Sequence, residues 1–460
     1  MKHLQQFHFS WLVALLAPIL IIVACSVVSD PDSSQSNLEP APTPSIQMGN
    51  VIFIHPDGAS LSHWGAARFL HYGPDGRLNW DQMSHLAVYL GHVKNQLAAT
   101  SNAGAVIHAT GVKVRADSYG LDETGQPIRA ASGKPETIMQ AAIARGYGTA
   151  LINSGIISEP GTGAFVAKVK NRSAHAEITK QILESGVDVI LGGGEVWYLP
   201  KGRAGYYAQA DQSRREDGVN LIELAKQKGY TVVYTREELL TLPSTTTKIL
   251  GVFAADDTYN DASEEDLRNQ ILPLYESSAP SVAEMLEITL RQLTQKGKPF
   301  FVVLEEEGSD NFSNANNARG AIEAVKRTDD AIGLAMKFIN QNPGTLLLTA
   351  ADSDAGGLEV VGEGLGRMPI NQRLPATNKN GAPLDGRDGT GSFPFLSARD
   401  ANGQRFPFAI AWTGFNDNAG AIVAKAHGLN ASVLQGMIDN TDIYRLMYST
   451  LFGTWYPPSE

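Results

Sequence analysis

The sequence predicts an α/β fold with a mostly parallel central sheet and helices on both of its faces. Short apolar runs, rich in Val, Ile, Leu and Phe, alternate along the chain with longer amphipathic windows, a pattern typical of strands joined by crossover helices. Several of these runs are followed at once by clusters of Asp, Glu, Ser and Thr. The 460 residues show no internal repeat and no second folded composition, which favours one large domain.

Eight apolar runs are predicted strands, and four amphipathic windows are the clearest predicted helices. The strands are expected at 51–55, 149–153, 187–191, 230–234, 249–254, 299–304, 345–350 and 407–412. The helices are expected at 136–145, 174–185, 281–296 and 320–340. Residues 355–407 are rich in Gly, Asn, Arg and Pro with little periodicity, so we expect an irregular insertion or rim there.

Residues 1–25 are similar to a bacterial signal peptide that ends in a lipobox. The apolar run that ends at Ala24 is too short to span a bilayer comfortably, and it leads into the lipobox-like sequence Val-Ala-Cys25-Ser. Cys25, the only cysteine, would then be the lipidated first residue of the mature protein. The alternative is an ordinary secretion signal that is cut nearby.

Two further segments complete the predicted organisation. Residues 26–48, rich in Ser, Pro, Asp and Gln, are expected to form a flexible linker, and the folded domain is expected at 49–460. The lipobox pattern therefore predicts export to the bacterial cell envelope, with a lipid anchor in the membrane and the domain in the periplasm or at the cell surface.

The charge of the chain restricts its partners. A net charge of −11 argues against nucleic acid, because phosphate backbones select basic surfaces. An anionic phosphate ester could bind only where metal ions or an arginine supply local positive charge.

Ser101 is the candidate nucleophile. It stands at the predicted start of a short helix, where backbone N–H groups and the positive end of the helix dipole favour an incoming phosphate. The local alternative is that this serine only caps the helix.

The carboxylates that follow the predicted strands form the candidate metal site. Because the carboxyl ends of parallel strands meet at one edge of a sheet, these side chains are expected to lie together. Carboxylate and amide oxygens suit Mg²⁺, Ca²⁺ or Mn²⁺, whereas each residue alone could be a solvated loop residue. The oxygen-only set consists of Asp57, Glu305, Asp310, Asn314 and Asp352.

These motifs resemble the alkaline phosphatase family over nearly the whole folded region. Thr100-Ser101-Asn-Ala-Gly-Ala, followed by Ala-Thr-Gly-Val-Lys113, is similar to the family's nucleophile segment, and Ser101 falls at the phosphorylated serine. The resemblance implies a three-layer sandwich, metal bridging by Asp57 and clamping of two phosphate oxygens by Arg172. It also implies a third-metal or auxiliary role for Glu159.

The family's zinc-binding histidines are replaced in this sequence. The Glu, Asp, His spacing gives Glu305, Asp310 and Asn314, and the histidine after Asp352 is Ser353. A late histidine would correspond to Trp412. Zinc is therefore in doubt, and Mg²⁺, Ca²⁺ or Mn²⁺ is the expected cofactor. Other nitrogen donors could come from the N-terminal half, but surface or core positions are expected for His63, His92 and His108.

The resemblance implies a metal-dependent phosphomonoesterase that acts on small phosphate esters through a phosphoserine. A phosphodiesterase of the same fold, with Thr100 competing as nucleophile, is one alternative. A degenerate protein that binds phosphate esters without turnover is another, favoured by the loss of three imidazoles. The sequence leaves a homodimer open.

Overall fold

A ten-stranded, mostly parallel sheet forms the centre of the protein. The computed structural model describes residues 45–456. The strands are β1 Asn50–Pro56, β2 His85–Leu90, β3 Gly148–Ile156, β4 Val189–Gly193, β5 Thr231–Val233, β6 Ile249–Val252, β7 Phe300–Glu306, β8 Thr345–Thr349, β9 Asp354–Ala355, β10 Glu359–Val361, β11 Leu384–Gly386, β12 Gly389–Thr390, β13 Phe395–Leu396, β14 Pro407–Ala411, β15 Asp417–Asn418, β16 Val423–Gly428 and β17 Gly436–Asp439.

The central sheet has the order β17-β2-β16-β8-β1-β7-β3-β4-β6-β5. All neighbours from β8 to β5 are parallel, and β16 runs antiparallel to both β2 and β8. This architecture confirms the predicted fold class, and seven of the predicted strands lie in this sheet. The eighth, 407–412, is β14, which belongs instead to a small sheet with β10, β11 and β13. Strands β2, β16 and β17 were not predicted, because each is short or flanked by polar residues.

Helices cover both faces of the central sheet. They are α1 Leu61–His71, α2 Ser101–Thr110, α3 Ile138–Ala144, α4 Pro160–Gly163, α5 His175–Glu184, α6 Leu221–Gln227, α7 Arg236–Leu240, α8 Glu264–Gln270, α9 Val282–Thr294, α10 Gly308–Asn314, α11 Ala318–Gln341 and α12 Thr441–Phe452. The four windows predicted as helices coincide with α3, α5, α9 and α11. Their period of 3.6 residues buries one face of each helix.

The core lies in two layers, one on each side of the sheet. Along β1, Val51 and Phe53 pack in one layer together with residues of α2, α3 and α12. Ile52 and Ile54 pack in the other layer together with residues of α1, α9 and α11. Side chains alternate in this way because successive residues of a strand point to opposite faces.

The predicted irregular segment 355–407 contains only strands of two or three residues, namely β10 to β13. The predicted signal peptide, its lipobox cysteine and most of the predicted linker lie outside the described residues. Within residues 45–456, no helix is long and apolar enough to cross a membrane.

Candidate active site

Four neighbouring strands bring the predicted site carboxylates to one edge of the sheet. Strands β1, β3, β7 and β8 are parallel, so their carboxyl ends coincide. Asp57 follows β1, Glu159 follows β3 and Asp352 follows β8, while Glu305 is the penultimate residue of β7. The structure therefore brings together residues that are up to about 300 positions apart in the sequence.

The most deeply buried part of this edge, here called the Asp57 group, consists of His55, Asp57, Glu305 and Asp352. The first three each offer one ligand atom, and these atoms lie within 4.8 Å of one another. Both carboxylate oxygens of Asp57, both of Asp352, Oε1 of Glu305 and Nε2 of His55 have no hydrogen-bond partner among residues 45–456. Buried carboxylates without partners are costly, and a divalent cation would satisfy them. The donor set therefore fits a metal ion.

Only one oxygen of Glu305 is held by the protein. Its Oε2 accepts hydrogen bonds from Nδ2 of Asn153 and, at 3.4 Å, from the hydroxyl of Thr162. This arrangement fixes the direction of the carboxylate while Oε1 stays available, which is how a supporting contact orients a metal ligand.

The electrostatics of the Asp57 group reflect several carboxylates in a small buried volume. Burial and the charge of Asp57 raise the pKa of Glu305 to about 8, and the same two causes raise that of Asp352 well above its usual range. Burial would lower the pKa of His55, but the carboxylate of Asp57 outweighs it and raises that pKa to about 10. Burial in turn would raise the pKa of Asp57, yet His55 holds it below its usual range.

Two glycines let helices approach these carboxylates closely. A Cβ at Gly161, in α4, would overlap the carboxylate of Glu305. A Cβ at Gly104, in α2, would overlap the side chain of Asp352. The backbone of α2, which carries Ser101, is thus packed directly against the Asp57 group.

Ser101 is the first residue of α2, and its side chain has an unpaired hydroxyl. The residue is 4% exposed, and its hydroxyl forms no hydrogen bond within the described part of the chain. The hydroxyl of Thr100, the N-cap, donates to the carbonyl of Ala116 at 2.6 Å. Asn102 donates to the same carbonyl and to that of Ser118. The side chains of Thr100 and Asn102 therefore have hydrogen-bond partners, whereas the hydroxyl of Ser101 has none within the described residues.

Arg172 supplies the positive charge at this edge. Its Nη2 lies 3.3 Å from Oε2 of Glu159, and its side chain is 45% exposed. Burial raises the pKa of Glu159 to about 7 despite this contact. The nearby Glu307, which the sequence did not single out as a site residue, is also buried, and its pKa is raised well above its usual range by burial and by Glu305.

A second cluster, here called the Asp310 group, consists of Asp310, Asn314 and Asp417. The Asn314 amide nitrogen donates to both oxygens of Asp310 and to Oδ1 of Asp417, each at 3.1 Å. Its oxygen accepts from the backbone N–H of Gly356 at 3.0 Å. The assignment of Asn314 as a metal ligand stays a prediction, and here both ends of its amide have protein partners. Asn314 holds two carboxylates together, and burial and Asp417 raise the pKa of Asp310 well above its usual range.

Asp417 is a site residue that the sequence analysis missed. The late histidine was matched to Trp412, but the indole N–H of Trp412 donates to Oδ2 of Asp385 at 2.6 Å. Asp417 precedes β16, which runs antiparallel to β8. A residue before an antiparallel strand lies at the same edge as residues after parallel strands, so recognition of β16 would have indicated Asp417.

The three histidines expected at ordinary positions do have such positions. His63 contacts the hydroxyls of Ser60 and Ser313, at 3.0 and 2.9 Å. His108 contacts the hydroxyl of Tyr89 at 2.8 Å. His92 lies against Lys113 at an exposed site. The histidine at the carboxylates is His55, which the sequence analysis overlooked although its position two residues before Asp57 on a strand places both on one face.

A cavity of about 1420 Å³ lies beside the nucleophile helix. It is lined by parts of residues 112–129, including Ser118, whose carbonyl accepts the hydrogen bond from Asn102. Ser101, Arg172 and the Asp57 group are not among its lining residues, so the cavity adjoins α2 only through the contact between Asn102 and Ser118.

Comparisons with known proteins identify the family of this chain. The alkaline phosphatase family model matches residues 48–452. Tissue-nonspecific alkaline phosphatase of Rattus norvegicus is 26% identical over 337 residues, which are 66% of this chain and 62% of that protein. The chain thus spans less than two thirds of that relative. Escherichia coli K12 alkaline phosphatase is 24% identical over 443 residues, 87% of this chain and 86% of that protein.

Solved structures show the same fold. Thermus thermophilus alkaline phosphatase has a TM-score of 0.69 at 22% identity, covering 92% of this chain and 95% of that one. The enzyme of the Antarctic bacterium TAB5 has a TM-score of 0.67 at 19% identity, covering 88% and 99%. A mutant of the TAB5 enzyme holds Mg in its M3 site. Since the family match extends over almost all of the described residues, this chain belongs to the alkaline phosphatase family.

Proposed function

We propose that this chain hydrolyses phosphate monoesters with the help of divalent metal ions, through a phosphoserine at Ser101. Membership of the alkaline phosphatase family supports hydrolysis of the phosphatase type. The observation that carries the finer proposal is the unpaired hydroxyl of Ser101 at the start of a helix packed against buried carboxylates that lack partners.

The chain's own residues can perform both halves of the reaction. The Ser101 oxygen attacks phosphorus, the bond to the ester oxygen breaks, and the serine proton leaves while the departing alkoxide is protonated. Water then attacks the phosphoserine, which releases inorganic phosphate and restores Ser101. Arg172 has the planar donors that suit two phosphate oxygens at once, and the N–H groups at the start of α2 suit the third.

The proposed metal ligands are Asp57, Glu305, Asp310 and Asp352, with Glu159 in an auxiliary role. Carboxylates without histidine at 314 and 353 favour Mg²⁺, Mn²⁺ or Ca²⁺ over Zn²⁺. A bound cation of this kind would stabilise the negative charge that develops on the phosphoryl and leaving oxygens.

Turnover of p-nitrophenyl phosphate by purified protein, with and without added Mn²⁺, tests the proposal. Ser101→Ala should lower turnover by about 10⁴-fold or more, because the nucleophile is lost. Thr100→Ser is the matched control, since it keeps the helix cap and should retain activity. Acid quenching with labelled substrate should trap a phosphoserine in the parent but not in Ser101→Ala.

Near-parental turnover by Ser101→Ala would refute the serine mechanism and would favour Thr100 as the nucleophile. The hydrogen bond from Thr100 to Ala116 speaks against that outcome, because the hydroxyl is already committed as a donor. The ratio of activity on p-nitrophenyl phosphate to that on bis-p-nitrophenyl phosphate separates a monoesterase from a phosphodiesterase of the same fold.

A phosphate-ester-binding protein without turnover is the second candidate. It is favoured by Asn314, whose amide already donates hydrogen bonds to the carboxylate oxygens that a cation would otherwise bind. Binding of inorganic phosphate to metal-loaded protein, without hydrolysis under any of the tested ions, would support this candidate.

We also propose that the protein is exported and anchored through Cys25. The proposal rests on the lipobox-like sequence alone. Cys25→Ser should move the protein from the membrane fraction to a soluble pool or stop its processing. Unchanged membrane partition together with unchanged processing would contradict the anchor.

A further inference from the structure

His55 is a buried histidine that projects into the carboxylates of the Asp57 group. It lies on β1, where its neighbour across the ladder to β7 is Glu305. Asp57 follows two residues later, so both side chains leave the chain on the same face of the sheet. The histidine is 0% exposed, as are Asp57 and Glu305.

The orientation of the imidazole is fixed from three sides. Its Nδ1 lies 2.7 Å from the carbonyl oxygen of Ala350, so this nitrogen must carry a proton and donate. The ring packs against Phe53 and His108, with centroids 6.0 and 5.6 Å away. The other nitrogen, Nε2, therefore faces the carboxylates.

Nothing within residues 45–456 satisfies Nε2 of His55. The nearest acidic oxygen is Oδ1 of Asp57 at 3.6 Å, beyond hydrogen-bond distance. With Nδ1 donating to a carbonyl, Nε2 is the ring nitrogen that faces these carboxylates and the one that a cation among them would contact.

We propose that Nε2 of His55 is a ligand of the cation held by the Asp57 group. This inference rests on the metal site of the proposed function. A histidine that binds a metal usually donates its other ring N–H to a carbonyl or carboxylate, and the contact to Ala350 is of that kind. The ligand atoms of His55, Asp57 and Glu305 lie within 4.8 Å of one another, close enough to surround one ion.

The proposal changes the expected chemistry of the site. The sequence indicated an oxygen-only cluster because the residues at 314 and 353 are Asn and Ser. His55 would restore one nitrogen from the opposite end of the sequence, on β1. One imidazole among several carboxylates makes the site less exclusively suited to Mg²⁺, Ca²⁺ and Mn²⁺ than an oxygen-only site, since imidazole suits Zn, Cu, Fe and Ni.

Pulsed electron paramagnetic resonance of protein loaded with stoichiometric Mn²⁺ tests this assignment directly. Modulation from a coordinated ¹⁴N nucleus should be present in the parent and absent in His55→Gln. His63→Gln is the matched control, because His63 is a buried histidine whose ring contacts the hydroxyls of Ser60 and Ser313. His55→Gln should also weaken Mn²⁺ binding, measured by calorimetry, by about 10-fold or more.

Each outcome of the experiment decides the proposal. A parent that binds Mn²⁺ without ¹⁴N modulation would overturn it and leave the proposed hydrolysis intact. Modulation that survives in His55→Gln would also overturn it. If His55→Gln does not fold, His55→Asn replaces it as the variant without an imidazole. The parent spectrum is informative by itself, because a parent without nitrogen coupling has no histidine ligand. A parent that binds no metal and turns over no ester would count against the proposed function itself.

Discussion

The Asp57 group and the Asp310 group are two acidic clusters at the same sheet edge. They differ in whether their buried carboxylate oxygens have hydrogen-bond partners in the protein. In the Asp57 group, six ligand atoms of four buried residues lack any partner within the described residues. In the Asp310 group, a single amide donates to three carboxylate oxygens. The first group therefore has ligand atoms available for a cation, whereas the carboxylates of the second are already bridged by Asn314.

The two groups meet at Gly58. This residue has a φ of 64°, and a Cβ there would lie 2.8 Å from Oδ1 of Asp310. A side chain at this turn would therefore push Asp310 away from Asp57. The close approach explains why the charge of Asp57 contributes to the raised pKa of Asp310. The comparison teaches that metal dependence should concentrate in the Asp57 group.

The largest expected effect is that of Asp57→Asn. Because Asp57 is in contact with both groups, its loss should lower kcat/KM on p-nitrophenyl phosphate by about 10³-fold. Asp329→Asn is a control at a buried carboxylate that already accepts hydrogen bonds from Asn79 and Trp80. Comparable losses in the two variants would mean that the effect comes from folding and not from the site.

The next effect concerns the identity of the metal. In parent protein treated with a chelator, Mn²⁺ or Mg²⁺ should restore more activity than Zn²⁺. The double variant Asn314→His with Ser353→His should shift the ratio of zinc to manganese affinity toward zinc by about 10–100-fold, because it returns two imidazoles. Two tightly bound zinc ions in the parent, measured by elemental analysis, would contradict the expected preference for Mn²⁺ or Mg²⁺ over Zn²⁺.

Asp352→Asn should have opposite effects with and without metal. In metal-free protein it removes like-charge repulsion with Asp57, so the free energy of unfolding should rise by about 1–3 kcal/mol. With saturating Mn²⁺ the parent should be the more stable protein, because the variant has lost a ligand. Urea denaturation with and without Mn²⁺ measures the difference in unfolding free energy between variant and parent. A variant that is more stable than the parent under both conditions, or less stable under both, would argue against a metal role for Asp352.

The smallest effect is a pH dependence that only the metal-free protein should show. The pKa values of Glu159 and Glu305 are raised to about 7 and about 8, from an ordinary value of 4.5. The folded state therefore binds these protons more tightly, so its stability is complete below pH 4.5 and decreases as the pH rises through about 8. The loss should disappear with saturating Mn²⁺, because the bound cation replaces the protons. A metal-free protein that gains stability over this range would contradict the buried cluster.

Much of the fold could be predicted from local sequence. Apolar runs such as 299–304 and 345–350 are buried on both faces, so their composition alone indicates central parallel strands. Strands β2 and β16 were not predicted because they carry His85, Lys425 and other polar residues. Their burial depends on neighbours, as when Lys425 donates to the carbonyl of Trp80. The strand predicted at 407–412 was confirmed as β14, but its place in the small sheet could not be predicted, since composition does not specify which sheet a strand enters.

The sequence by itself determined which carboxylates gather, because the ends of parallel strands must share one edge. Asp57, Glu305 and Asp352 follow from that rule, whereas Glu159 was indicated only by the resemblance to the family, and the helix start at Ser101 by the local sequence. Only the tertiary structure decided which way side chains face and which distant residues join them. It turned the Asn314 amide toward its neighbours, brought in Asp417 from before an antiparallel strand and directed His55 at the carboxylates. These choices depend on hydrogen-bond partners such as Gly356 and Ala350, which are remote in sequence and become neighbours only when the sheet is assembled.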